Sequence, residues 1–355
     1  MTVWDACIVG GGPAGASAAI ALARLGASVV MVERSKRGVR RSGEMLPPEA
    51  KRPLEKLGVW ERFLNAGHQA VPGILVAWED EAVSVSDFLW NAYGNGWHVD
   101  RVRFDGMLHD EAARAGAVLR FGIAVDAASR ADDGWCVSAR SDRATVTIRA
   151  RAVVDARGRS FRRERRVVVD RMIAISALFD GQSRFGGMHS LIESCKNGWF
   201  YSAPLSDDRI VVAYMTDPDQ GSSTHGPGEV FEGALTDSSY TARRVSRLRR
   251  NTLRVEAAQT SMAVTQPQSP ILAGDARYSV DPLAARGLYR ALAGAPAIAN
   301  ATIAHLNGRD DLLAEENAKA AIAFQRVLRQ RREHYARVTR WESAFWRRRR
   351  TDQRV

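Results

Sequence analysis

The sequence predicts an α/β fold: a Rossmann-like dinucleotide-binding domain interleaved with a β-rich domain and followed by a helical C-terminal region. Three observations predict it. A strand, a glycine turn, a helix and a second strand follow one another within residues 3–34. The middle of the chain is rich in short β-branched and aromatic runs separated by polar turns, and an apolar run ending at Gly274-Asp275 then returns the chain to helical sequence. At 355 residues and 45% hydrophobic content, the chain can bury a full core.

Residues 5–9 carry the apolar run of a buried parallel strand, 13–25 are alanine-rich with Gly26 as their stop, and 28–32 are β-branched again. The turn of this βαβ unit, Gly10-Gly11-Gly12-Pro13-Ala14-Gly15, fits GxGxxG. In that pattern the first glycine permits a tight turn, the second lets backbone N–H groups approach a pyrophosphate at the helix N-terminus, and the third lets helix and strand pack closely. Glu33, followed by Arg34, ends the second strand 18 residues beyond Gly15, where a carboxylate can accept from both ribose hydroxyls.

Further on, residues 103–115 read as a helix with Phe104, Met107, Leu108 and Ala112 on one face, and 118–121 as a strand. Residues 135–139, 145–148 and 152–154 suggest a short antiparallel meander, 173–179 and 210–215 further strands, 271–273 a short strand, and 283–306 one long alanine-rich helix. The order assigns 1–70, 100–165 and 268–310 to the dinucleotide-binding domain. It assigns 71–99 and 166–267 to a substrate-side β-sheet domain, and 311–355 to a basic helical segment.

The net charge of +11 is concentrated at positions 326–355, with eleven arginines against Glu333, Glu342 and Asp352. A nucleic-acid or anionic-membrane patch is one reading. The other, which we adopt, is a helix: Phe324, Val327, Leu328, Arg331, Tyr335, Val338 and Trp341 recur at helical spacing, so the arginines would line the outer face. Cys7, Cys136 and Cys195 are isolated, with no metal-ligand spacing, and read as reduced, buried thiols. No export signal or membrane-spanning run is evident, so the expected location is the cytoplasm.

Gly274-Asp275-Ala276 with Asp281-Pro282-Leu283 and Gly287 resembles the second flavin fingerprint of FAD-dependent monooxygenases and halogenases of the p-hydroxybenzoate hydroxylase fold. Other matching stretches are Gly43-Glu44 with Leu46-Pro47-Pro48, Gly96-Trp97-His98-Val99-Asp100-Arg101, Val154-Asp155-Ala156-Arg157-Gly158-Arg159, Gly198-Trp199-Phe200-Tyr201-Ser202-Ala203-Pro204, and Arg340-Trp341-Glu342 with Phe345-Trp346. Together they are similar to a branch, related to tryptophan halogenases, that includes flavoproteins maturing tryptophylquinone cofactors.

The resemblance implies FAD as cofactor, held by Gly10, Gly12, Pro13, Ala14, Gly15, Glu33, Arg34, Arg101, Gly274, Asp275, Pro282, Arg286 and Gly287. It implies a ring site near Glu44 and Pro47, with His98 and His189 as candidate proton carriers, and no metal. The activity implied is hydroxylation of an aromatic substrate, a small molecule or a peptide, because the flavin and not the protein carries the activated oxygen. With no second GxGxxG for a nicotinamide, a separate flavin reductase or transient docking would supply electrons, to a monomer or dimer. A halogenase or an isoprenoid double-bond reductase is the alternative. Halogenation would need a lysine within 64–78, which has none, and the WxWxIP block is replaced by 199–204. A non-catalytic partner is a third reading, prompted by Ala284-Ala285-Arg286 and by Arg157, which depart from the usual pattern.

Overall fold

The computed structural model describes residues 2–38, 44–142, 144–160, 165–183, 185–220, 226–266 and 268–351. Gly43 and residues 352–355 of the arginine-rich end lie outside them.

Strand Val3–Val9 is the centre of the dinucleotide-side sheet, parallel to Val29–Glu33 on one flank and to Thr145–Asp155 on the other. Val118–Phe121 extends the first flank, Gly134–Arg140 and Ala124–Ala131 the second, and Ile271–Leu272 pairs with the end of Thr145–Asp155. The expected strands 145–148 and 152–154 are one continuous strand. Its first half pairs antiparallel with Gly134–Arg140 and its second half parallel with Val3–Val9, while Arg149 and Arg151, which interrupt the apolar pattern, pair with Asp133 at 2.6 Å and Asp5 at 2.9 Å. Helix Pro13–Arg24 packs between helices Arg101–Arg114 and Ala295–Leu306, and its buried Ala16, Ala18 and Ala19 permit close approach. The long helix expected over 283–306 is instead a short turn, a helix Gly287–Ala293 and a helix Ala295–Leu306. Pro296, without an N–H, can open the last helix but cannot continue the one before it.

The second sheet has seven strands in the order Arg249–Ala257, Ile173–Asp180, Arg209–Thr216, Gly198–Pro204, Ser190–Cys195, Gly73–Ala77 and Ser84–Asp87. Alternation divides its side chains. Ile175, Phe200, Val212 and Tyr214 face Phe231 and Val245 of helices Pro227–Thr236 and Tyr240–Val245, the second of which receives its N-terminal cap from the buried Glu193. Ala174, Trp199, Ala213 and Met215 face the C-terminal helices Asp311–Ala336 and Ala344–Thr351, where Tyr335, Phe345 and Trp346 complete an aromatic core with Trp78. Three of its indole N–H groups are paired: Trp199 Nε1 donates to Tyr335 Oη at 2.9 Å, Trp78 Nε1 to the His334 carbonyl at 2.8 Å and Trp346 Nε1 to the Cys195 carbonyl at 2.9 Å.

The C-terminal arginines do not simply line the outer face. Arg331 and Arg349 are buried in this core on Asp170, Asp217 and Asp281, and Arg348 binds Asp217 and Asp219. A small sheet of Glu44–Leu46, Gly96–Val99 and Gln69–Val71 joins the halves, so part of the 71–99 segment sits with the dinucleotide side. Cys7 and Cys195 are buried free thiols, whereas Cys136 is only partly buried. Among the described residues no helix is long and apolar enough to cross a membrane, and no cluster of three metal-ligating side chains occurs.

Candidate functional site

Three chain segments meet where the first strand ends. Gly10 has φ +107°, and a Cβ there would stand 2.7 Å from the Ala156 carbonyl oxygen. A Cβ on Gly15 would fall on the Gly10 carbonyl, and one on Gly274, at φ +59°, would lie 2.6 Å from the Ala14 methyl. The second fingerprint is therefore docked against the helix that begins the first. That helix starts at Pro13 after an extended Gly12, with no capping side chain and no acidic residue in its first turn. Its leading N–H groups are thus available to an anion.

Glu33 is anchored rather than loose: its carboxylate accepts from Gly11 N–H at 2.7 Å and Ser35 N–H at 3.0 Å. His109, on helix Arg101–Arg114, bonds the Gly11 carbonyl through Nε2 at 2.6 Å, and since a carbonyl only accepts, Nε2 carries the proton. Arg34 is exposed. Arg101 opens its helix behind the Asp100 cap and is buried, with Nε and Nη2 each 3.1 Å from Asp105.

At the second fingerprint, Asp275 lies between Arg290 at 2.8 Å and Arg159 at 3.4 Å, while Arg166 donates to the carbonyls of Asp275 and Ala276. Asp281 accepts from Leu283 N–H at 3.2 Å and from Arg331 Nε at 2.6 Å. Pro282 opens the turn, and Ala285 closes it at φ +48°, a left-handed conformation that costs a non-glycine residue on the order of 1 kcal/mol. Arg286 is exposed, its guanidinium 6.0 Å from the Tyr289 ring, and Gly287 begins the next helix. The glycine cradle that a Cβ would fill, the uncapped helix start and the anchored Glu33 carboxylate together fit a dinucleotide.

The remaining candidates are placed differently. Glu44 pairs through its backbone with Val99, and Pro47 precedes a short 3-10 turn. His98 is buried with Nδ1 2.7 Å from the Pro204 carbonyl and Nε2 2.6 Å from Ser190 Oγ. Burial pushes its pKa down to about 3, so it is a neutral peg between sheets and no longer suits a proton carrier. His189 is partly buried; its carbonyl accepts from Arg244, and its buried Nε2 meets no partner among the described residues. Arg157, the departure noted in the sequence, clips bidentately onto the buried Asp155.

A family model described as "FAD binding domain" matches residues 3–331. The chain belongs to that family. This flavoprotein is an FAD-dependent oxidoreductase with FAD as its cofactor. It is 25% identical over 362 residues to LodB of Marinomonas mediterranea, named as an FAD-dependent oxidoreductase, covering 98% of this chain and 97% of that protein. A pyrrole-2-carbonyl-[peptidyl-carrier protein] brominase of Pseudoalteromonas luteoviolacea is 24% identical, over 86% of this chain and 79% of its own length. Among solved structures, the flavin-dependent halogenase CmlS superposes with a TM-score of 0.88 at 25% identity, over 98% of this chain and 68% of that one. The peptidyl tryptophan dihydroxylase QhpG superposes at 0.79 and 23% identity, over 100% and 80%.

In this flavoprotein Leu283 of the second fingerprint packs against the aromatic core, as Val76, Ile192 and Tyr201 of the seven-stranded second sheet also do. Sequence reasoning passed over His109, Arg159, Arg290 and Arg331. Two of them carried a signal: Arg331 stands on the apolar stripe of its helix, and Arg159 ends the family-like stretch that begins at Val154.

Proposed function

We propose that this flavoprotein is a monooxygenase that hydroxylates a tryptophan-like aromatic ring carried on a peptide or protein. The observation that carries this reading is the distribution of its five lysines. Lys36, Lys56 and Lys196 are exposed, Lys51 sits over Trp60 and beside Glu55, and Lys319 pairs with Glu315 and Glu316. None belongs to the aromatic cluster on which Leu283 and Tyr201 pack, so a lysine to relay hypohalous acid has no candidate there. The likeness to QhpG, a peptidyl tryptophan dihydroxylase, across 100% of this chain supports a substrate of the peptide-bound kind.

FAD, when bound, supplies the activated oxygen. The chain supplies the rest: the glycine cradle and Glu33 orient the cofactor, and the apolar face around Tyr201 and Leu283 excludes water and receives an aromatic ring. Halogenation is the second reading, favoured by the likeness to CmlS and to the carrier-protein brominase.

Chemically reduced FAD, labelled dioxygen and tryptophan-containing peptides, with and without chloride or bromide, separate the two. The expected product carries labelled oxygen in halide-free buffer. A product formed only when halide is added, on these peptides or on a pyrrole-2-carbonyl thioester, reverses the order.

A further inference from the structure

We infer that Arg331 is a positioning residue for the flavin-side loop 281–287, and that helix Asp311–Ala336 completes the FAD site through it. The two oxygens of Asp281 are divided. One accepts from Leu283 N–H and sets the turn; the other accepts from Arg331 Nε at 2.6 Å, while the second arm of the guanidinium pairs with Asp170. Asp281 is 5% exposed and Arg331 is 7% exposed, with the Tyr335 ring 4.9 Å from the guanidinium carbon.

A carboxylate this buried keeps its charge and its place only while a cation faces it. Without Arg331 it must take up a proton or turn toward water, and either change weakens its hold on Leu283 N–H. The loop has little to fall back on. Ala285 holds a left-handed backbone that persists only where surrounding contacts determine it, and Arg286 adds no side-chain cap to the helix that follows. Burial works against the charge on Arg331, but Asp170 and Asp281 outweigh it and hold the guanidinium protonated.

Arg349 provides the internal control. It is 2% exposed, binds Asp217 at 2.6 Å, approaches Asp170 at 3.6 Å and donates to the Phe345 carbonyl at 2.9 Å. It therefore shares the structural burden of Arg331 without touching the loop.

The experiment is an FAD titration of full-length apoprotein, followed by flavin fluorescence, with the flavin midpoint potential and the apoprotein melting temperature measured alongside. Arg331→Gln and Asp281→Asn are each expected to raise the FAD Kd about tenfold, the scale of one hydrogen bond to a charged group, and to shift the potential. Arg331→Lys should recover part of the loss. Arg349→Gln should lower the melting temperature as much as Arg331→Gln does, yet leave Kd within about twofold, well under that single-bond scale. Equal losses of FAD affinity for Arg331→Gln and Arg349→Gln, or an unchanged Kd for Arg331→Gln, would overturn the proposal. If Arg331→Gln does not fold, Asp281→Asn decides in its place by the same two outcomes.

Discussion

Around the first fingerprint the chain works mainly by omission. Gly10, Gly15 and Gly274 leave room for backbone to meet backbone, and Glu33 and His109 fix the turn from within the first 110 residues. Around the second fingerprint it works by charge, with Asp275 and Asp281 held by Arg159, Arg290 and Arg331 from up to 116 residues away. The first arrangement is intolerant of any added atom, because close packing has no slack. The second tolerates changes of size but not of charge, above all at Asp281 and Arg331, where a buried ion left without its partner is the costly state.

Gly15→Asp tests the first half most severely. Its Cβ alone would fall on the Gly10 carbonyl, and its carboxylate would oppose the pyrophosphate. FAD affinity should fall by more than about 3 kcal/mol, beyond the usual overpacking range, and the purified protein should be colourless. A yellow variant would show that the turn has slack after all.

On the second half, Asp275→Ala should weaken FAD by roughly 1.5–3 kcal/mol, the scale of a hydrogen bond to a charged group, with the fold retained. Unchanged titration would mean that Asp275 serves only to neutralise Arg159 and Arg290.

Acid should act on two buried histidines: His98, which joins the small sheet to the second sheet, and His68, which packs on Phe63 and Phe104 within the first half. His98 and His68 are pushed down by burial to about 3 and about 4, so both are neutral when folded, while an unfolded histidine takes up a proton below about 6.5. Their contribution is therefore intact above that pH and lost as pH falls from 6.5 toward 4, by about 1.4 kcal/mol per pH unit for each. Urea unfolding at pH 7 and pH 5 should show the loss, and His98→Gln should reduce its slope; a wild-type slope in that variant would remove His98 from the account.

The smallest effect is expected at Arg286, whose guanidinium rests toward Tyr289. Arg286→Gln should move the flavin potential by less than about 30 mV, which for two electrons is about 1.4 kcal/mol. A larger drop would place the charge against the isoalloxazine ring.

The first half was legible in the sequence because its signals are local: a glycine turn, an alanine-rich helix and an acidic strand end within 34 residues. The two-sheet plan was legible from the return at Gly274. What escaped is non-local. Nothing near Arg331 in sequence announces Asp281, 50 positions away: its place on the apolar stripe marked it as facing inward but named no partner. His98 misled for the opposite reason: a histidine beside a family motif suggests chemistry, but both its nitrogens are consumed by Pro204 and Ser190 on strands 106 and 92 residues distant. The break at Pro296 was visible, yet a run of alanines on both sides obscured it.

The contact between Gly274 and Ala14 also imposes an order in time. A ribosome working at about 5–20 residues per second needs on the order of tens of seconds to pass from Gly10 to Arg331. Through that interval the glycine turn exists without the second fingerprint, and the second fingerprint without its cation. A nascent chain can build the central βαβ unit early, while the second fingerprint and its cation arrive only late, so cellular supply of FAD should influence how much released protein survives rather than how fast its first domain forms.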